Sequence, residues 1–236
     1  MIFRAAVILV LTLLGGCSAS RYDVDYAERL KAYRHEADFA CLAAEPTGFA
    51  DDRLRLRLPR QFAAPVPDDA DASRIKPPFV KDFPGFVAAH EAWLQIKNLR
   101  LSAGLSIGVW RGKQADVEKS ILTQVVADEA FAAAKPRWEK VTVTDGNGEP
   151  AAWSRLVLEG KQVFESQVVG NPELKKWDGA CQIWVLAAPR QDLGVVLAWR
   201  VPNDVAGMLD VPLAMLSTTV ARTVQFPPPS APAAGK

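Results

Sequence analysis

Histidine is almost missing from these 236 residues: His35 and His90 are the whole supply. A metal centre built on imidazoles wants more, and neither His35-Glu36 nor His90-Glu91 is followed by the second histidine of a helical zinc motif. Both are expected on solvated surface. Cysteine is scarce as well, at Cys17, Cys41 and Cys181 only, and no cofactor is expected. Beyond the first 16 residues no stretch holds about eighteen uninterrupted apolar side chains, so no later membrane-spanning helix is expected. An excess of positive charge is lacking too, with 28 Lys and Arg against 27 Asp and Glu. Counterion release on nucleic acid needs a concentrated basic excess, so nucleic acid is excluded as the main partner. What the chain does have is apolar residues, 49 % of the total, enough for a sizeable core.

The N-terminus carries one basic residue, Arg4, then an apolar run from Ala5 to Leu14. A run of about ten residues is a signal-peptide core, where a spanning helix needs about twenty. It ends in Leu14-Gly15-Gly16-Cys17, which resembles the lipobox of bacterial lipoproteins. The resemblance implies cleavage before Cys17, acylation of its thiol with diacylglycerol, and a protein held to the membrane by lipid. Ser18 in place of an aspartate implies sorting to an outer membrane, facing the periplasm. Each buried methylene contributes about 0.8 kcal/mol, and the several chains of such an anchor hold stably where one would not. An ordinary secretory signal cut nearby is the alternative. Removing residues 1–16 deletes Arg4 and no acidic residue, which leaves 27 charges of each sign.

With Cys17 lipidated, Cys41 and Cys181 remain in an oxidising compartment, where two cysteines commonly pair. A Cys41–Cys181 disulfide is the expectation, and two separate buried thiols are the alternative. Closing so long a loop would contribute about 4–5 kcal/mol in the chain-entropy account.

From Asp25 a helical stripe runs through Tyr26, Leu30, Tyr33, Ala37 and Cys41 and should stop before Pro46. In "DRLRLRLPRQF" strict alternation predicts a strand, with Leu54, Leu56 and Leu58 buried and Arg53, Arg55 and Arg57 projecting oppositely. With Arg60 nearby, that row can bind carboxylates, phosphates or a partner surface, or can form a charged face that protects a strand edge. Residues 64–85 are rich in proline and aspartate without periodicity, as in a functional loop or a disordered excursion. "HEAWLQIKN" is ambiguous between helix and strand. Leu99 to Trp110 alternates large apolar residues with Ser102, Gly104, Ser106 and Gly108, a strand with one small-residue face. A helix is expected from Gln114 to Lys135, stopped by Pro136.

The second half reads as hairpins, with strands near 141–144, 153–158 and 162–168 and turns at 145–148 and Gly160-Lys161. "CQIWVLAA" and "GVVLAWRV" are apolar on nearly every residue, as strands covered on both faces are. Pro212 opens a helical stripe of Leu213, Leu216, Val220 and Val224. Trp184 and Trp199 are expected in the core, while Trp138, Trp153 and Trp177 lie near turns, where an indole packs or lines a groove. The expected class is α+β: a mostly antiparallel sheet of about six or seven strands with helices on both faces, plus an N-terminal helix.

That order of elements resembles the Mog1/PsbP-like α/β/α sandwich. It rests on "RLRLRLPRQF", on "LRLSAGLSIGVWRG" with its helix, and on "CQIWVLAAPRQDLGVVLAWRVP" leading into "PLAMLSTTVARTV". The resemblance implies a binding or accessory protein and carries no functional residue across. The division expected is a signal peptide at 1–16, an anchor segment and helix at 17–48, the sandwich at 49–226 and a tail at 227–236.

Catalytic motifs are weak. "GLSIG" matches a nucleophile elbow formally, but alternation runs straight through Ser106 and both histidines precede it. "DGNGE" has the start of a calcium loop without its distal glutamate, and a hairpin turn accounts for it. Two expectations follow. The first is a lipid-anchored, non-enzymatic module that meets another envelope component. The second is a small-ligand or enzyme site in a cleft roofed by the 64–85 loop, with His90, Glu91 or the loop aspartates as its polar lining.

Overall fold

The computed structural model describes residues 24–29, 37–66, 85–131, 133–145, 148–168, 173–188 and 192–227. Cys17 with the signal segment, the core of the 64–85 loop and the tail beyond residue 227 lie outside the described residues. The chain divides into two units, Met1–Ala40 and Cys41–Lys236. In the first, residues 24–29 and 37–38 are helical, while 30–36 lie outside the described residues. The backbone then turns at 39–41, so Cys41 stands in a turn and not on a helical stripe.

The second unit is built on strands β1 (Thr47–Phe49), β2 (Leu54–Leu56), β3 (Ala64–Pro65), β4 (Phe86–Ile96), β5 (Leu99–Trp110), β6 (Glu139–Thr144), β7 (Pro150–Gln167), β8 (Glu173–Ala187) and β9 (Gly194–Pro202). Helices α1 (Gln114–Ala127) and α2 (Leu213–Ala221) complete it. β1 and β2 form a small antiparallel pair, and the other seven strands form one sheet in the order β3-β4-β5-β9-β8-β7-β6. Every pairing is antiparallel. At its far end β7 crosses back to β5, pairing Gln167 with Arg100 and Ser166 with Leu101, which curls the sheet at that end.

Alternation decides which side chains meet which layer. On one face, Val117, Ile121 and Val125 of α1 pack on Trp110, Leu156, Leu158, Cys181, Ile183, Val185, Val196 and Ala198. Their spacing of four keeps one stripe of the helix on the sheet. On the other face Ser217 of α2 donates to Gln182 at 3.0 Å, Phe62 meets Trp199 edge-on at 5.6 Å, and Trp153 meets Trp184 edge-on at 5.9 Å. β8 and β9 are therefore covered on both sides, as their unbroken apolar runs require. The architecture is α+β with a helix on each face of an antiparallel sheet, the layering that the Mog1/PsbP-like resemblance implied.

Three expectations need correction here. The helix expected to reach Lys135 stops at Ala127, because Asp128 is extended and its carboxylate accepts a hydrogen bond from the Ala130 amide at 2.7 Å, opening a 3-10 turn at Glu129–Phe131. Gly160-Lys161, expected as a hairpin turn, runs inside the single long strand β7. Its glycine serves close approach instead: a Cβ on Gly160 would stand 1.8 Å from the Ala130 carbonyl oxygen. Trp153, for which packing was one of the two uses open, is fully buried in the core.

The third is the disulfide, since Cys41 and Cys181 are separate thiols. Cys181 points to the α1 face, whereas its neighbour Gln182 points to α2. The Cys41 segment is tied to residues 58–60, which belong with the α2 side through Arg57 and Thr223. The sheet stands between the two sulfurs. Burial pushes the Cys181 thiol up to about 12, so it is inert in the folded state.

Candidate functional site

Beyond the end of α1 the same sheet face changes character. Gly104 on β5 lies directly between Glu91 on β4 and Arg200 on β9. All three face the α1 side, and two strand spacings put the outer Cα atoms about 10 Å apart. A Cβ built on Gly104 would meet no atom within 4 Å, so the floor of the row is open. The resulting depression has a space of about 350 Å³, open mouth included, bordered by Val66, Glu91, Ser102, Ser106, Phe164 and Arg200.

Arg200 is the dominant group. It is 5 % exposed, its Nε donates to Gln162 Oε1 at 3.2 Å, and its Nη2 donates to the Val163 carbonyl. The guanidinium lies 4.9 Å from the centre of the Phe164 ring, a cation–π contact. Gln162 is fixed in turn by donating to the Gly179 carbonyl at 2.8 Å. Burial lowers the Arg200 pKa, with Cys181 and Asp128 acting the other way, yet a guanidinium stays protonated in any protein. Among the described residues no ion pair includes Arg200. A desolvated cation at the border of the depression is held by neutral acceptors and an aromatic ring.

Across the glycine, Glu91 Oε1 accepts from the Trp93 indole N–H at 3.2 Å. Its carboxylate and the Arg200 guanidinium form no ion pair with each other. On β5, the Ser102 hydroxyl accepts from the Glu165 amide at 3.2 Å, anchoring β7 where it returns to β5.

Of the groups expected to line such a cleft, Glu91 is there, the His90 side chain is not, and the loop aspartates lie outside the described residues. Alternation sends His90 to the opposite face, where it is 6 % exposed, edge-on to Phe49 at 6.1 Å, and hydrogen-bonded to the Phe62 backbone. Burial lowers its pKa, so it is a neutral core histidine and not a surface one.

The arginine row is used locally. Arg53 Nε donates to the Ala50 carbonyl at 3.1 Å, Arg57 Nε to Ala43 at 2.6 Å, and Arg60 Nε to Leu42 at 3.0 Å. Arg55 pairs with Asp52, whose carboxyl is held below its usual range by that hydrogen bond. Two of these arginines latch the segment after Cys41 onto β2 and the turn that follows it, while Arg55 and Arg60 remain exposed.

A second polar cluster lies under α1. Glu118 Oε1 accepts from Ser154, from Lys140 at 3.0 Å and from Gln114 at 2.9 Å. Burial raises the Glu118 carboxyl, and these three donors more than offset it, leaving the pKa below its ordinary value. Ser154 is fully buried, so no substrate reaches it, and the knot fastens the first turns of α1 to β6 and β7.

Arg200 was missed in the sequence reading. The available signal was a single charge inside the apolar run "GVVLAWRVP", at a position whose sheet neighbour is a glycine in the small-residue column of β5. A charge that cannot reach water at a strand edge needs a built environment.

No protein-family model matches the sequence, and no curated protein matches it. Among solved structures the chain is similar to the Saccharomyces cerevisiae Ran-binding protein Mog1p, with 11 % identity and a TM-score of 0.37 over 78 % of this chain and 96 % of that one.

Proposed function

We propose that this chain is a lipid-anchored envelope protein, acylated at Cys17 and facing the periplasm, whose α+β domain is a binding module with its site at the Gly104 depression. Sequence supports the address through Leu14-Gly15-Gly16-Cys17. The observation that carries the binding reading is Arg200: a nine-tenths buried cation, held by Gln162 and Phe164 without a carboxylate, beside a glycine with empty space above it. A buried charge costs several kcal/mol of solvation unless it is well partnered, and a fold that keeps one at the rim of an open depression has a use for it. The small-residue column of β5 supplies the room. The membrane is reached through the lipid, and another envelope component is the expected source of what binds.

The test is isolation of the intact protein from a two-membrane bacterium in mild detergent, with mass spectrometry of its N-terminal peptide and of the small molecules it carries, beside a Gly104→Val variant. An acylated Cys17 and a bound molecule lost in Gly104→Val are expected. A peptide without acyl chains overturns the anchor, and an unchanged small-molecule complement in the variant overturns the site.

A further inference from the structure

We infer that the Gly104 depression takes a small zwitterion of the size of an α-amino acid, its carboxylate on Arg200 and its ammonium on Glu91. The inference rests on the depression being a binding site, and adds which chemistry it selects.

Three features lead there. The first is charge order: one cation and one anion face the same side of the sheet, on strands that flank β5, with a glycine between them. The two do not pair, so a ligand that brings only a carboxylate satisfies Arg200 and lies near the like charge of Glu91. A ligand that brings only an ammonium does the reverse. A molecule with both groups satisfies both, and the site as a whole is neutral. The second is preorganisation. Gln162, held by the Gly179 carbonyl, and the Phe164 ring fix the guanidinium before anything binds, which removes the ordering cost of a long side chain on association. On the opposite bank the Trp93 indole holds one oxygen of Glu91 and leaves the other to the ligand. The third is size. Ser102, Ser106 and Gly104 make the floor, nothing stands within 4 Å above the glycine, and two strand spacings separate the two charged banks, a span that a compact polar molecule bridges and a long chain overshoots.

The experiment is calorimetric titration of the purified intact protein with the twenty L-amino acids, with acetate and inorganic phosphate as anions alone, and with methylamine as a cation alone. The proposal expects saturable binding of at least one amino acid and at least about tenfold weaker binding of acetate, phosphate and methylamine, the loss of one charge-assisted hydrogen bond. A Cβ at Gly104 meets no neighbour, so Gly104→Val should fill the floor and abolish binding without lowering the thermal transition. Glu91→Gln should weaken the amino acid about tenfold and tighten acetate, which no longer lies near a like charge. Acetate or phosphate binding as tightly as every amino acid overturns the zwitterion and leaves a simple anion site, so that the binding reading survives. Binding that persists unchanged in Gly104→Val places the ligand elsewhere and overturns both. Absence of heat with every probe overturns the zwitterion, and the molecules carried by the isolated protein then decide the binding reading separately.

Discussion

One face of the seven-stranded sheet has two halves that obey opposite rules. Under α1 the face is dry: Ile121 and Val125 sit on Leu156, Ile183 and Val196, and each of these is at most 3 % exposed. Beyond α1 the same strands present Gly104, Glu91, Gln162 and Arg200. Two glycines mark the contrast. Gly160 has no side chain because the turn after α1 presses against it, whereas a Cβ on Gly104 would meet nothing. A glycine in a strand weakens it by about 0.5–1 kcal/mol relative to alanine, so one retained without a packing reason keeps space for something else. The half with a helical roof is made for stability, and the open half tolerates a local loss of stability for access.

Substitutions should separate the halves, and the largest effect belongs under the roof. Ile121→Ala removes buried methylenes from the helix stripe and should cost about 2–5 kcal/mol in chemical denaturation, without altering ligand affinity when measured well below the transition. Gly160→Ala drives a methyl group into the Ala130 carbonyl and should cost about 1–3 kcal/mol by overpacking.

The pH dependence comes next and tests the buried histidine on the far face. The folded His90 pKa is depressed by burial, below its ordinary value of 6.5, so the unfolded chain takes up the proton first. Its contribution to stability is complete above about pH 6.5 and declines as pH falls through the folded pKa. Urea midpoints should therefore drop between neutral and mildly acidic pH, and His90→Phe should flatten that part of the profile. The smallest effect belongs to the open half: Gly104→Ala should raise stability by about 0.5–1 kcal/mol. A loss like that of Gly160→Ala would erase the distinction between the two glycines.

Legibility followed how local each cause is. Alternation in Leu99–Trp110 and the Val117–Ile121–Val125 stripe are set by neighbours along the chain, and both were readable as strand and helix. The doubly covered β8 and β9 were readable from their unbroken apolar runs. Gly160 misled because the same residue serves turns and close approach, and the Ala130 carbonyl that decides between them is 30 positions away. The helix end at Asp128 depended on a side chain capturing the Ala130 amide, a local competition that Pro136 further on obscured. The arginine row was visible as alternation, but its use was not, because the carbonyls of Ala43 and Leu42 reach Arg57 and Arg60 only after folding. The Gly104 site joins residues 91, 104 and 200 by strand pairing, and no spacing along the chain encodes that register.

The most direct measurement follows backbone amide signals of the intact protein by nuclear magnetic resonance while the tightest-binding amino acid is added. The account predicts that Glu91, Ser102, Gly104 and Arg200 shift together and saturate, while Ile121 and Val125 under α1 stay in place. Saturating shifts centred on α1, or on the Arg53 to Arg60 segment with Gly104 unmoved, would contradict it.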